Sequence, residues 1–581
     1  MEFLMVAVVG LLAIALAQTL GDRLRVATPL LLVAVGIGVS LLPFIPDVDI
    51  DPEWILAGVL PPLLYSASAS MPTMDFRREF RAIGSLSVVL VVASSVLLGL
   101  FFTWVIPDLS LAWGIALGAI VSPTDAVATT IVKRIGVSPR AVSILEGESL
   151  LNDATALVLL RAGIAGAAAS VSVWHVFGQF VFAVVVAVII GFIVGRVNLW
   201  ARSKVEDPTV NTVVSFTVPF LASVPAEELG ASGLVAAVVA GLVTGSGAAR
   251  VLSPGHRLSD SQNWRAIEVI LEGTVFLVMG LQLSKIIGDV HTEHQGVGTA
   301  IGIAGAALFL TILIRTAYVT PLLLGLKRRA RRSERLRPRI SDLQERLADP
   351  ETAAANLVRP ADPTRTPRKT PRPRPEPSPE RVERFRTRLR RGIADIDYLL
   401  AKPLGWREGT VVVWSGMRGA VTLAAAQTLP ADTPNRSLLV FIAFLVAAGS
   451  LLIQGGTLTT VVKWVKPAGT DHEAEHEERV QLMQMLIEAA ASVTDEPPLR
   501  PPLIGQVEAA GRTIPADDEE QQALRRTVKG RQLAIIRAQR TALLDARDDG
   551  VFSAGVLNSA LKVLDADQIS IELRGGPPEE D

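Results

Sequence analysis

The chain has 581 residues, half of them hydrophobic, with 56 basic against 57 acidic side chains and a mean hydropathy of +0.41. An average that apolar, in a chain with long charged stretches, indicates a polytopic membrane protein joined to soluble sequence. A formal charge of −1 gives no electrostatic case for a nucleic-acid partner, and the absence of cysteine excludes disulfides, thiol nucleophiles and cysteine-ligated metals.

From the N-terminus, the first apolar run covers residues 3–20. Glu2 precedes it and Arg23 and Arg25 follow it, the reverse of a secretory leader, so it reads as a membrane-spanning helix with its N-terminus outside. Twelve further spans follow, at 27–43, 54–70, 83–105, 111–132, 141–168, 173–200, 209–224, 229–246, 262–285, 297–326, 409–429 and 437–462. Thirteen crossings leave seven loops facing inward. They carry Arg23 and Arg25; Arg77, Arg78 and Arg81; Lys133, Arg134 and Arg140; Arg202 and Lys204; Arg250, Arg257 and Arg265; a long basic insert; and Lys463 and Lys466. The outward loops hold Asp47, Asp49, Asp51, Glu53, Glu227, Glu228 and Glu293, with Arg436 as their clear cation. An error of one span would scramble this asymmetry, so the charges support the count independently of hydropathy.

Span five carries Ser122-Pro123-Thr124-Asp125 at its middle, and proline there removes a backbone donor and breaks the helix. Span twelve carries Ser415-Gly416-Met417-Arg418-Gly419, two glycines around an arginine. Each is fifth in a block of six, one block running from span one and the other from span eight, so the two blocks have opposite orientation. Interrupted helices at matching positions of inverted halves point to a transporter's binding site. The expected fold is therefore all-α and polytopic, with about thirteen transmembrane helices in two inverted repeats, broken crossing helices and a C-terminal helical tail.

Span six contains SILEGESLLNDATALVLL, residues 143–160, with three carboxylates in apolar sequence. Ionisable groups at membrane depth mark ion or proton paths. On a helix, Ser149, Asn152, Asp153 and Ala156 form one polar stripe, while Glu148 lies about 100° round from it. One face can hold a cation and the other an arginine. Glu272 in span ten and Arg315 in span eleven lie at intermediate depth, away from the breaks, and are expected to form a buried structural pair.

Residues 327–402 form the insert, which opens KRRARRSERLRPR and includes TPRKTPRPRPEPSPE. With few large apolar residues it is expected to be largely disordered, with short helices at its ends and basic runs drawn to anionic lipid headgroups. It interrupts a transmembrane domain of residues 1–466. Residues 467–581 are soluble, with amphipathic helices expected at Glu477–Ala491, Asp517–Asp548 and Phe552–Leu564 and a break at Pro497–Pro502. His472-Glu473-Ala474-Glu475-His476 matches a zinc-protease pattern, but it sits in an acidic solvent-facing run without a third ligand, so a charged helix start is the better reading. No Gly-rich phosphate loop or Gly-x-Ser-x-Gly elbow is present.

Three stretches together, SPTDAVATT at 122–130, EGESLLNDATA at 146–156 and WSGMRGAVTLAA at 414–425, resemble the signature motifs of the sodium/proton exchanger family, the monovalent cation:proton antiporter-1 class, in its bacterial branch. Pro61-Pro62-Leu63-Leu64-Tyr65 and Glu272–Gln282 also fit its pattern. The resemblance covers residues 1–466 without the insert. It implies a secondary transporter, not an enzyme, with no cofactor, that exchanges Na+ (or Li+) for H+ electroneutrally in the cell membrane, serving pH and sodium homeostasis as a homodimer. It implies Asp153 as the exchanged carboxylate, Asn152 as its positioning neighbour, Asp125, the Thr124 carbonyl and Ser149 as further cation ligands, and a Glu148–Arg418 ion pair. Similar exchangers often carry an acidic residue after the aromatic of PPLL-aromatic; here that position is Ser66. K+/H+ exchange by the same mechanism is the alternative. A channel and a membrane-tethered zinc hydrolase are the competing classes, and a closed polar site at two broken helices favours alternating access over a channel.

Overall fold

The computed structural model describes residues 2–24, 26–42, 51–168, 173–292, 296–346, 379–401, 403–469, 472–493 and 519–573. Among them the one extended pairing is an isolated bridge between Val137 and Gly469; the rest of the regular structure is helical. The helices are α1 Glu2–Leu24, α2 Thr28–Ser40, α3 Trp54–Ser70, α4 Thr73–Val105, α5 Leu111–Val121, α6 Val127–Ile135, α7 Pro139–Ala168, α8 Val173–Arg202, α9 Pro208–Glu228 and α10 Gly233–Val251. They continue with α11 Pro254–Leu281, α12 Leu283–Thr292, α13 Val297–Arg346, α14 Pro379–Ala401, α15 Trp406–Trp414, α16 Ala420–Gln427, α17 Arg436–Val465, α18 His472–Ala491, α19 Glu519–Asp549 and α20 Ala554–Leu573. Eight segments among the described residues, namely α4, α7, α8, α9, α10, α11 with α12, α13 and α17, are long and apolar enough to cross a bilayer. α1, α2, α3 and α5 are shorter apolar helices. The runs at 111–132 and 409–429 are each helical in two pieces, as the proline and the glycines dictate. Asp47, Asp49 and Glu293 lie outside the described residues.

Local sequence sets the helix starts. Ser110, Ser232 and Ser253 accept from backbone N–H groups one turn into α5, α10 and α11. Asp207 accepts from Thr209 and Val210 at the start of α9, and these donors hold its carboxyl below the usual carboxylate range.

The chain divides into two compact units, Met1–Gly325 with Leu404–Thr470, and Leu326–Pro403 with Asp471–Asp581. In the first, small residues let backbones meet. Where α2 crosses α11, a Cβ on Gly36 would stand 2.6 Å from the Leu277 carbonyl oxygen and 2.8 Å from the Gly280 Cα, so glycine is required there. Two arginines that read as loop cations are in fact buried. Arg140 Nε donates to Glu79 at 2.7 Å, joining α7 to α4. Arg202 at the end of α8 donates to Asn211 at 2.7 Å and pairs with Asp260. An arginine can end a span by turning inward to a carboxylate as readily as by reaching water.

The second unit contains both ends of the insert. Its described ends are helical, through Arg346 in α13 and from Pro379 in α14; residues 347–378 lie outside the described residues. Phe385, Leu389, Ile393, Ile396 and Leu400 recur at spacings of four, four, three and four, an apolar stripe hidden among arginines. Arg337 grips Asp397 with two bonds, at 2.6 and 3.2 Å, and Arg390 reaches Asp549 of α19 at 3.5 Å. The three tail helices form as α18, α19 and α20, burying Leu482, Leu486, Leu543 and Leu557. Glu478 accepts from Ser553 at the start of α20, and Arg540 pairs with Asp565 at 2.9 Å. Asp517 and Pro497–Pro502 lie outside the described residues. His472 and His476 are exposed, and among the described residues no group of three His, Cys, Asp or Glu side chains could hold a metal ion.

Candidate cation and proton site

The two helix breaks bond to each other. The Asp125 N–H donates to the Met417 carbonyl at 2.8 Å, and Arg418 Nε donates to the Val121 carbonyl at 2.9 Å. Each broken helix leaves unpaired carbonyls at one new end and unpaired N–H groups at the other. Arg418, which also donates to the Gly416 carbonyl, serves the carbonyl ends of α5 and α15. Asp125 serves the N–H ends: its Oδ1 accepts from Val127 at 3.1 Å at the start of α6, and its carboxylate lies on Gly419 at the start of α16. A Cβ at residue 419 would overlap that carboxylate. A cation at the carbonyl ends and a carboxylate at the N–H ends is the placement that the helix dipoles favour.

The expected Glu148–Arg418 pair is not formed. Arg418 is drawn off by backbone carbonyls, and Glu148 pairs with Arg315 instead. Arg315 Nη2 donates to Glu148 Oε2 at 2.8 Å, Nη1 contacts Oε1, and Nε donates to the Val412 carbonyl at 3.0 Å. Both side chains are at most 3% exposed, so this is a fully desolvated, two-pronged pair. The expected Glu272–Arg315 pair fails for the same reason: Arg315 is committed, and Glu272 turns elsewhere.

Thr124, Asp125, Ser149, Asp153 and Glu272 line one cavity of about 300 Å³. Asp153 is 9% exposed and takes no hydrogen bond from a described residue. Asp125 is close enough to both Asp153 and Glu272 for its charge to act on them. Asn152 lies behind the wall, fully buried, where its Nδ2 donates to both the carbonyl and the hydroxyl of Thr124 at 2.9 Å. The Thr124 hydroxyl donates in turn to Glu148 at 3.2 Å. A chain of bonds thus runs from Arg315 through Glu148 and Thr124 to Asn152, fixing the residue beside Asp153. Ser149 donates to the Glu146 carbonyl at 3.2 Å, leaving its oxygen lone pairs toward the cavity. Ser66 is buried outside the cavity wall, to which α3 contributes Leu60, Leu63, Leu64, Ala67 and Ser70. Carboxylate and hydroxyl oxygens lining one cavity form a donor set for a hard monovalent cation.

The profile described as sodium/hydrogen exchanger, transmembrane, matches residues 9–337 and 391–464, which include every residue of this site. The chain belongs to the sodium/hydrogen exchanger family. The exchanger is 28% identical to an uncharacterized Na(+)/H(+) exchanger of Mycobacterium tuberculosis, over 98% of its own length and 96% of the relative's. It is 29% identical to the sodium, potassium, lithium and rubidium/H(+) antiporter of Bacillus subtilis, over 50% of this chain and 45% of that one. Its fold is similar to the sodium proton antiporter MjNhaP1 of Methanocaldococcus jannaschii, with a TM-score of 0.54 at 16% identity over 80% of this chain and 99% of that one.

Two features of the exchanger's site were not read from the sequence. Gly419 matters because of what lies against it, and only the crossing reveals that. Arg315 has a signal in hindsight: a lone arginine deep in an apolar span needs a carboxylate, and Glu148 was the carboxylate facing away from the polar stripe.

Proposed function

We propose that the exchanger is a secondary antiporter that moves one Na+ (or Li+) against one H+ by alternating access at Asp153. The observation that carries this reading is the convergence of Asp153, Asp125, Thr124 and Ser149 on one cavity at the crossing of two broken helices. A buried carboxylate binds a proton or a cation, and occupancy by either neutralises it, so each ligand must leave before the other binds. Asn152 beside it is uncharged, Glu148 is neutralised by Arg315, and Arg418 and Asp125 are each offset by helix ends. Asp153 is then the charge that changes its occupant across the cycle, which makes the exchange electroneutral. On the same reading the protein is a homodimer of the cell membrane serving pH and sodium homeostasis. Its N-terminus lies outside, its insert and tail are cytoplasmic, and thirteen spans form two inverted repeats.

The test is reconstitution in liposomes with an internal pH dye, adding Na+, Li+ and K+ one at a time. Na+ and Li+ should move protons, Asp153→Asn should abolish the signal, and an imposed membrane potential should leave the set-point unmoved. A voltage-tracking set-point would overturn the stoichiometry, and activity in Asp153→Asn would overturn the site. K+/H+ exchange is the second reading. It draws support from the potassium in the name of the Bacillus subtilis antiporter and from the apolar α3 wall of the cavity. The K+ arm of the same assay separates the two.

A further inference from the structure

A second cavity, of about 640 Å³, lies beside the first. Thr28 and Leu30 of α2, Ile131 and Arg134 of α6, and Lys463 of α17 are among its walls. Thr130, Glu272 and Phe276 border both cavities, and among the described residues Glu272 is the one charged side chain that does so. Glu272 therefore stands at the junction of two open spaces in the middle of an apolar helix.

Its charge surroundings are unusual for a structural carboxylate. Asp125 and Glu268, both negative, act on it, and Arg134 and Lys463 share the second cavity's lining with it but form no ion pair to it. Arg315, the mid-span cation expected to neutralise it, is taken by Glu148. The first cavity is lined by Lys133, which pairs with Glu146, and by four more carboxylates, Asp125, Asp153, Glu268 and Glu272. Among these Asp153 is nine-tenths buried and takes no hydrogen bond from a described residue, so its oxygens are open to a ligand in that space. A carboxylate at membrane depth without a protein cation is costly unless a proton or a mobile cation accompanies it. The α3 wall offers apolar side chains and Ser70, so beyond Asp125 and the Lys133-paired Glu146 any further carboxylate for the cation comes from α11.

We propose that Glu272 is a cation-selecting residue of the exchanger. It binds the alkali cation at the junction of the two cavities, ahead of Asp153, and sets cation affinity and preference. This rests on the antiport reading above. Glu268, one turn away on the same face of α11 and half-buried, lies on the approach to it.

The test measures cation-dependent proton movement in liposomes for wild type, Glu272→Gln and Glu272→Asp, across a range of Na+, Li+ and K+ concentrations, with a melting temperature for each. Glu272→Gln should raise the KM for the transported cation roughly tenfold while the saturated rate stays within about threefold, and should change the Na+ to K+ preference. Glu272→Asp should fall between. Unchanged KM and preference in Glu272→Gln, or a lost saturated rate without a KM change, overturns the proposal. If Glu272→Gln does not fold, Glu272→Asp decides: a KM raised at least threefold supports the role, and a wild-type KM overturns it. Failure of the antiport reading is separate, since wild type would then show no cation-driven signal or Asp153→Asn would retain it.

Discussion

Removing the Glu148 charge tests the architecture most directly. Glu148→Gln keeps the size of the side chain and strands the Arg315 guanidinium, whose two donors would face a neutral amide in a site at most 3% exposed. Breaking a buried pair from one side costs about 3–5 kcal/mol, because the remaining charge is uncompensated. At roughly 2 °C per kcal/mol for a large folding unit, the melting temperature in detergent should fall by about 6–10 °C. The double mutant Glu148→Gln/Arg315→Gln should recover part of this loss, with a coupling of about 1–3 kcal/mol. The same cycle run with Arg418→Gln should give a smaller coupling, because Arg418 bonds to the Val121 and Gly416 carbonyls and not to Glu148. A larger coupling to Arg418 than to Arg315, or an unchanged melting temperature in Glu148→Gln, would refute this account.

Three further outcomes are expected. Asp153→Asn should keep the wild-type melting temperature within about 2 °C while losing exchange, since its carboxylate takes no structural hydrogen bond; exchange and melting temperature measured on one preparation check this. Gly419→Ala should cost about 1–3 kcal/mol, lower the melting temperature and cut exchange at least tenfold, because its methyl group displaces Asp125 from two helix ends; a folded, fully active variant would contradict the packing. Truncation after Thr470, where the first unit ends, should preserve exchange and shift its pH profile; an inactive but folded truncation would make the tail from Asp471 integral to transport.

Much of this fold was written in residue types whose effect is local. Pro123 and the glycines at 416 and 419 weaken a helix locally beside a mid-span charge, so both interruptions were legible. The stripe of Ser149, Asn152 and Asp153 followed from helix periodicity alone. Partnerships were not legible, because they depend on which helices become neighbours. Glu148 and Arg315 are 167 positions apart, and nothing in either segment names the other. Glu272 shows the same limit: its depth could be counted along α11, but the neighbours its face meets could not. At the insert, composition allowed helices at the two ends, and the partner of Arg337, Asp397, could not be read from it.

The reciprocal capping at the crossing makes the two interrupted segments a single inheritable part. Residues 111–135 carry the carboxylate that the second segment needs, and residues 406–427 carry the arginine that the first needs. A chimera that replaces one segment with a sequence lacking the carboxylate or the arginine would keep every helix and still leave backbone groups without their counter-charges. Replacing both together removes need and supply at once. Grafts into this joint should therefore succeed when each segment brings its own charged residue and fail when either omits it.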